Sequence, residues 1–397
     1  MVKKDNIFAL ATPNGKSAIA LFRISGPRSH NIIKSISSNK KIKTNKVELN
    51  YILDKNKLPI DQTLTTYFNS PKSFTGENMV EISCHGGAAI INKITKKLLE
   101  KGMRVAEPGE FTRRAFENNK LDLIKVEALS DLINANTEKQ RELALKNLRG
   151  ELSGLVLEIS KKIQKLLANV EAIIDFSDED LPKGIEKEIK EQKKNIIDDI
   201  EKIINRSKNA KAIRSGFLVS VIGKPNTGKS SFVNFISGRD VSIVTKTPGT
   251  TTDLIESVLD IKGYQVTFID TAGIRKYRNK IEKIGISKTI ETTKKVDLNI
   301  IFLEKNEKEL YKKIKNKIFV RSKFDIRKNK KSTKDVINIS SRSGYGINKT
   351  LKKTITTIFP NNSRENPIIS RERQLSKLQN CLETIKVVDF NKNIDMI

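Results

Sequence analysis

Lys229 and Ser230 close the run Gly223-Lys224-Pro225-Asn226-Thr227-Gly228-Lys229-Ser230, which fits G-x-x-x-x-G-K-S. Glycines in this pattern let successive backbone N–H groups converge on phosphate oxygens, and a helix beginning there adds positive potential. Lys229 is then placed to reach β- and γ-phosphates, and the Ser230 hydroxyl to complete the shell of a Mg²⁺ ion. Because the pattern works through backbone geometry, it needs a strand before it and a helix after it. The apolar run Phe217 to Ile222 supplies the first, and Ser231-Phe232-Val233-Asn234 suits the second. These residues describe a nucleoside triphosphate site.

Three further signals follow in chain order. Phe268-Ile269-Asp270-Thr271-Ala272-Gly273 is an apolar strand ending in D-x-x-G, where Asp270 can act on Mg²⁺ through water and the Gly273 N–H can contact a γ-phosphate. Before it, Thr247-Pro248-Gly249-Thr250-Thr251-Thr252-Asp253 offers a threonine to cover Mg²⁺. A loop of this kind is ordered by the γ-phosphate and released on hydrolysis. Ile318 to Arg321 reads as a strand and is followed by Ser322-Lys323-Phe324-Asp325, an S-K-x-D pattern. A carboxylate at Asp325 can accept from both the N1–H and the 2-amino group of guanine, a pair that adenine lacks. The turn Ser340-Ser341-Arg342 can add a backbone N–H to the guanine oxygen. Four signals in this order point to GTP. Ile274 stands where Ras-like enzymes carry a water-orienting glutamine, so that role and charge neutralisation must come from elsewhere. Glu282, on the polar stretch beyond, is the best local candidate, its other reading being an ordinary solvated helix carboxylate.

These groups need a scaffold, and the pattern of the chain supplies one. Residues 1–121 mix strand-like runs (Ala18 to Ile24, Met79 to Ser83) with a helical stretch from Ala88 to Leu99, as an α+β domain does. From Asp122, Leu145, Leu148, Leu152, Leu155, Ile159, Ile163, Leu166, Val170 and Ile173 recur at steps of three and four, which predicts one face of a single long helix. Pro182 and Gly184 interrupt it, and a charged helix with Ile189, Ile196, Ile200 and Ile203 on one side follows. Residues 213–360 alternate strand and helix, as in a doubly wound sheet. Residues 361–397 return to helical spacing through Leu375, Leu378, Leu382, Ile385 and Val388. The expected architecture is multidomain α/β: 1–121, a helical domain at 122–212 and 361–397, and a nucleotide domain at 213–360 inserted into it.

Composition narrows the setting. The chain has 397 residues, 37% of them hydrophobic, and a mean hydropathy of −0.42. No apolar run approaches the roughly 20 residues that cross a bilayer, and the basic N-terminus is too quickly broken by Pro13 and Gly15 to be a signal peptide. A cytoplasmic protein with no membrane partner is expected. Two cysteines, Cys84 and Cys381, and two histidines, His30 and His85, imply neither a disulfide framework nor a zinc cluster. Lys and Arg total 75 against 46 Asp and Glu, a net charge of +29. That excess suits RNA or another polyanion. Its spread along the whole chain is equally what a compositional lean towards lysine produces.

The runs GKPNTGKSSFVN, PGTTTD, DTAGIR, IEKIGI and SSRSGYG closely resemble the MnmE (TrmE) tRNA-modification GTPases. ALATPNGKSAIALFRISGP, SFTGENMVEISCHGG and PGEFTRRAFENNKLDLIKVEALSDLI resemble that family's N-terminal domain and first helix, and VEAIIDF its helical domain. The resemblance covers nearly the whole chain and implies a folate-binding-like, dimerising N-terminal domain beside a Ras-like P-loop GTPase domain. It implies homodimers whose GTPase domains meet face to face, with K⁺ where other GTPases place an arginine finger. By match, K⁺ is held by Asn226 and by oxygens of Thr245, Thr247 and Thr250, and Mg²⁺ by Ser230 and Thr251. Glu282 matches the family's catalytic glutamate, which orients the attacking water. The GTP contacts implied are Asn226, Thr227, Gly228, Lys229, Ser230 and Ser231; then Thr245, Lys246, Thr247, Pro248, Gly249, Thr250 and Thr251. They continue with Asp270, Thr271, Ala272 and Gly273, then Ser322, Lys323, Asp325, Ser340, Ser341 and Arg342. Arg23, Glu81 and Lys120 match positions lining the pocket for tetrahydrofolate, bound as the 5-formyl or methylene form.

Family members work with the flavoprotein MnmG, as a heterotetramer, and add a carboxymethylaminomethyl or aminomethyl group to the wobble uridine of certain tRNAs. Several residues depart from the family pattern: Ser322 for asparagine, Thr252 for arginine and Cys84 for glycine. The chain stops at Ile397 before the family's C-x-G-K tail, and Cys381 is not followed by Gly-Lys. A C-terminally truncated member whose modification activity is absent or very weak is therefore expected. Two other readings use the same residues: a ribosome-assembly or RNA-chaperone GTPase, and a folate-dependent aminomethyltransferase that its GTPase domain only regulates.

Overall fold

A computed structural model describes residues 5–175, 184–207, 210–238, 242–243, 256–270, 296–304, 307–326, 335–358 and 368–388. The chain divides into two compact units, Met1–Glu127 and Ala128–Ile397.

The first unit is built on β1 (Ile7–Leu10), β2 (Ser17–Ser25), α1 (Ser29–Ile36), β3 (Val47–Leu53), β4 (Pro59–Phe68), β5 (Met79–Gly86), α2 (Ala88–Glu100), β6 (Arg104–Val105) and α3 (Glu110–Glu117). Its strands form one sheet in the order β3-β4-β5-β2-β1-β6, antiparallel except where β1 meets β6. Alternation along a strand sends every second side chain to one face. Ala20, Phe22 and Ile24 of β2 and Val80, Ile82 and Cys84 of β5 thus share a face and bury it against Ile32, Ile33, Ile36, Ile94 and Leu98 of α1 and α2. Burial pushes the Cys84 thiol up to about 11, so this cysteine is a packed apolar group and not a nucleophile.

A charged knot closes the other end of this unit. Arg114 donates to the Asp5 carbonyl oxygen at 2.9 Å, to Glu77 at 3.0 Å, to the Asp5 carboxylate at 2.6 Å and to Glu110 at 3.0 Å. Arg104 donates to Glu110 at 2.8 and 2.6 Å and to Asp5 at 2.6 Å. The Arg114 and Glu110 side chains retain only 5% and 1% exposure, so each buried charge relies on its partners.

The second unit opens on helices. α4 (Leu123–Ile133) leads into it, followed by α5 (Glu138–Leu148), α6 (Glu151–Asp175), α7 (Ile185–Ser207) and α8 (Ala210–Ser215). The single long helix expected from Leu145 to Ile173 is two helices. α5 starts at a capping box of Thr137 and Gln140, and the chain breaks at Gly150, which adopts φ 94°. Apolar residues keep their three-and-four spacing across that break, so periodicity alone runs through it. Leu152, Ile159, Leu166, Val170 and Ile173 line the buried side of α6, and Ile189, Ile196, Ile200 and Ile203 that of α7.

A second sheet follows: β7 (Phe217–Gly223), α9 (Lys229–Ser237), β8 (Ser242–Ile243), β9 (Glu256–Ile261), β10 (Tyr264–Asp270), β11 (Leu298–Phe302), β12 (Lys317–Arg321), β13 (Val336–Asn338) and α10 (Ile347–Ile358). Its order is β13-β12-β11-β7-β10-β9-β8, parallel from β13 to β10, with β9 and β8 antiparallel. Strands buried on both faces read as near-continuous apolar runs, and all five residues of β11 are buried. The last helix, α11 (Glu372–Val387), returns to pack on α7. The segment leading into α11 is tied back by Asn147 Nδ2 donating to the Ile368 carbonyl at 2.9 Å and by Arg371 Nη2 on Asp131 at 2.7 Å. Helices before and after the sheet therefore form one bundle. No helix among the described residues is long and apolar enough to cross a membrane.

Hydrogen bonds from Arg104 hold the Glu110 carboxyl down at about 2, against an ordinary value of 4.5. A depressed carboxylate stabilises the fold fully above its unfolded value and loses that contribution as pH falls through the folded one. Resistance of the first unit to urea should thus fall progressively from pH 4.5 to pH 2. Glu110→Gln should cost about 2 kcal/mol at neutral pH and flatten the acid limb. An unchanged acid limb in that variant would contradict the assignment.

Candidate functional site

Parallel register brings the carboxyl ends of the central strands together, with Asp270 opposite Val221 and Phe302 opposite Gly223. Ligands of open α/β sheets sit outside such ends. Beneath them, the Phe232 ring of α9 lies 6.2 Å from that of Phe268 and 5.6 Å from that of Phe302, an apolar floor that seats the helix.

The loop from β7 to α9 is shaped by close approach. A Cβ on Gly223 would stand 2.6 Å from the Phe302 carbonyl oxygen. Asn226 and Gly228 take left-handed conformations, φ 60° and 91°, and Gly228 stands at the N-cap of α9, where it offers no capping side chain. Thr227 Oγ1 donates to the Lys224 carbonyl at 2.8 Å. Lys229 is buried, and its ammonium donates to the Gly223 and Lys224 carbonyls at 2.9 and 2.7 Å, laid across the concavity of the loop. Ser230, on the first turn of α9, and Asn226, on the crown of the loop, are both exposed.

The loop after β12 is fastened to this one. The Ser322 hydroxyl donates to the Thr227 carbonyl, and Ser322 is buried. Gly228 makes room for that contact, since a Cβ there would fall 2.6 Å from Ser322 Oγ. Ser322 therefore braces the phosphate loop. The next loop is tied in as well: the Phe324 N–H donates to the Ile339 carbonyl at 3.1 Å, and the Phe324 ring stacks on Tyr345 at 4.6 Å. Ser340 Oγ accepts from the Arg342 and Ser343 N–H groups at 3.3 and 3.2 Å, fixing the turn.

These loops enclose a cleft of about 520 Å³. Ser322, Lys323 and Asp325 line it from one loop, Ser341 and Arg342 from the next, and Gly228 and Ser231 from the phosphate loop and α9. Seven residues expected from sequence thus meet in one place. Asn226, Thr227, Lys229 and Ser230 stand in the adjoining loop and first turn, and Ser340 is buried behind its own turn. Asn234 and Phe235 also line the cleft. Sequence reasoning missed both, although Asn234 lies one helical turn beyond Ser230, on the side that faces the same loops. The Asp270 backbone ends β10 beside the phosphate loop. Thr245, Lys246, Thr247, Pro248, Gly249, Thr250, Thr251, Thr271, Ala272, Gly273 and Glu282 lie outside the described residues. A carboxylate and turn N–H groups in the cleft can read a base edge, and the loop-bound cation beside it can hold phosphates.

In the first unit, Arg23 and Glu81 sit directly opposite on β2 and β5 and pair at 2.7 and 2.9 Å. The Arg23 guanidinium lies over the Phe74 ring at 5.2 Å. Lys120 lays its stem against Gly76, whose φ is 77°; a Cβ there would stand 3.2 Å from Lys120 Cγ. Arg23 and Glu81 are thus joined, and Lys120 packs two residues beyond the Phe74 that Arg23 covers.

Comparison with known proteins follows this division. Residues 6–120 match the family described as GTP-binding protein TrmE N-terminus, and residues 123–396 match the MnmE helical domain family. The chain is 38% identical over 412 residues to the tRNA modification GTPase MnmE of Fervidobacterium nodosum, covering 98% of this chain and 87% of that one. It is 35% identical over 407 residues to the tRNA modification GTPase MnmE of Aquifex aeolicus, covering 98% and 91%. Among solved structures, the G domain of the T. maritima FeoB iron transporter matches 36% of this chain and 98% of its own at 23% identity, with a TM-score of 0.27, too low to carry any argument.

The Ser322 brace gives a direct expectation. Ser322→Ala leaves the Thr227 carbonyl without its donor, a loss of about 1–3 kcal/mol, so the affinity for a fluorescent guanine nucleotide should fall about tenfold or more. Gly228→Ala, which collides with Ser322, should lose more while keeping its circular dichroism. Parental affinity in both variants would contradict the brace.

Proposed function

The chain belongs to the MnmE family of tRNA modification GTPases, and from that premise we propose how it works. It hydrolyses GTP in a K⁺-dependent way, as a cytoplasmic homodimer. With the flavoprotein MnmG, in a heterotetramer, it adds a carboxymethylaminomethyl group to the wobble uridine of certain tRNAs. The one-carbon unit comes from 5-formyl- or methylene-tetrahydrofolate. The domains are 1–121, 122–212 with 361–397, and 213–360.

The observation that carries this reading is the cleft in which Asp325 is held beside the phosphate loop. The Asp325 carboxylate accepts from N1–H and the 2-amino group of guanine, and the Ser341–Arg342 turn offers N–H groups to the guanine oxygen. Lys229 exchanges its carbonyl partners for the β- and γ-phosphates, which carry the charge those carbonyls lack. The hydroxyls of Ser230 and Thr251 hold Mg²⁺, with Asp270 acting through water, and the Thr271-Ala272-Gly273 segment meets the γ-phosphate. Lys246, Pro248 and Gly249 contribute to GTP binding.

Asn226 and the oxygens of Thr245, Thr247 and Thr250 hold K⁺; the exposed, left-handed position of Asn226 suits an amide that must reach outward. Bound there, K⁺ supplies positive charge beside the β–γ bridge, where a loose phosphoryl-transfer transition state develops charge. Glu282 orients the attacking water in place of the glutamine absent at Ile274. In the first unit Arg23, Glu81 and Lys120 hold folate, and the Arg23–Glu81 pair over Phe74 offers both a charged edge and an aromatic wall.

The test is GTP turnover at matched ionic strength. K⁺ should stimulate it and Na⁺ should not, and Glu282→Ala should lower kcat roughly 10²-fold while GTP affinity changes little. Equal turnover in the two salts would contradict the proposal.

A further inference from the structure

Charge in the first unit is segregated. Residues 1–127 contain 22 basic and 12 acidic residues. The segments 28–46 and 88–101, which hold α1, the loop after it and α2, contribute ten of the basic and one of the acidic. The rest of the unit is left with twelve and eleven, close to neutral. Nine of its ten excess positive charges therefore sit in 33 residues.

Those residues face one way. α1 and α2 bury Ile32, Ile33, Ile36, Ile94 and Leu98 in one cluster against the same side of the sheet, and Ile42 anchors the intervening loop there. Their polar sides consequently point away from the sheet together. Lys41, Lys43 and Lys46 of the loop, Lys93 and Lys96 of α2 and Lys101 at its C-cap are all exposed. Among the described residues none of these six ammonium groups has an ion-pair partner. The nearby acids are engaged otherwise: Glu100 lies 3.9 Å from Lys97, and Glu48 accepts from Asn39 Nδ2 and the Lys43 N–H, each at 3.2 Å. Alternation puts Glu81 and His85 on the opposite side of the sheet, where Arg23 pairs with Glu81 and the His85 ring hydrogen-bonds Asp61.

Like charges crowded without counter-charges repel, and a field of one sign concentrates an oppositely charged partner. A membrane-bound helix would also present an apolar face to the surface. Here the apolar face of α2 is spent on the core, and Leu99 is the single large apolar residue strongly exposed in the two segments. We propose that this layer of α1, loop and α2 is the docking surface for the sugar–phosphate backbone of tRNA. The inference rests on the tRNA reading above and adds to it where the RNA lies. Lysines on a rigid helix and an anchored loop suit phosphates, whose recognition is electrostatic and largely independent of sequence.

The experiment uses the full chain and an unmodified tRNA transcript, with filter binding between 50 and 200 mM KCl. A Lys93→Glu/Lys96→Glu/Lys101→Glu variant is compared with a control of equal charge change on the other sheet, Lys349→Glu/Lys352→Glu/Lys353→Glu on α10. The first should lose about 30-fold or more in affinity and flatten the salt dependence by roughly two to three in log–log slope, at about 0.9 per phosphate contact. The control should lose less than about threefold, and both should keep basal GTP turnover. The milder Lys→Gln triple should give the same ranking and guards against misfolding. Equal losses in both variants would mean a general charge effect and overturn the proposal, as would an unimpaired first variant. Retained tRNA binding with lost binding to phosphatidylserine vesicles would assign the face to a membrane and overturn it too. A wild-type chain that binds no tRNA would overturn this surface and the tRNA reading together.

Discussion

The nucleotide cleft depends on one short contact, the Ser322 hydroxyl on the Thr227 carbonyl, and on the missing Cβ of Gly228 that permits it. β7 and β12 are separated by β11, so their carboxyl ends stand about 9.5 Å apart at ordinary strand spacing. The loops after β7 and β12, that far apart, would otherwise move independently. The hydroxyl is a short arm, and it reaches because glycine lets the loops approach. Glycine at this position therefore serves both the left-handed turn and the bracing of Asp325.

The strand that ends at Asp270 is fixed at its start as well. Gln140 Nε2 donates to Gln265 Oε1 at 3.2 Å and to the Arg214 carbonyl at 3.0 Å. Lys139 Nζ lies 3.8 Å from the centroid of the Tyr264 ring. α5 is thus seated on the first residues of β10, while the Phe232–Phe268–Phe302 cluster holds the strand's interior. Asp131 draws α8 and the segment before α11 to α4 through Arg214 at 2.9 Å and Arg371 at 2.7 Å. The helices of the second unit and the sheet that carries the cleft are joined by specific polar contacts, not by apolar packing alone.

Much of this was legible in the chain because the signals are local. A phosphate loop, S-K-x-D and a serine-rich turn each announce a backbone shape within a few residues, and parallel strands then carry those shapes to one edge. What stayed hidden depends on distance in sequence or on a break in rhythm. Gly150 ends α5 without disturbing the apolar period, so two helices read as one. Asp5 meets Arg114 across more than a hundred residues, and no local pattern marks that partnership. Asn234 and Phe235 looked like ordinary helix until the loops beyond β12 and β13 came over them. The one-sided charge of α1 and α2 needed the sheet to reveal which residues share a face.

The most direct test of the central claim, that this cleft reads guanine, is calorimetric titration of the full chain with GDP and with ADP. Sites built to hydrogen-bond a group reject analogues lacking it by large factors, because their own polar atoms are left unpaired. The account predicts GDP binding at least about 100-fold tighter than ADP. Equal affinities would contradict it, whatever the turnover of either triphosphate.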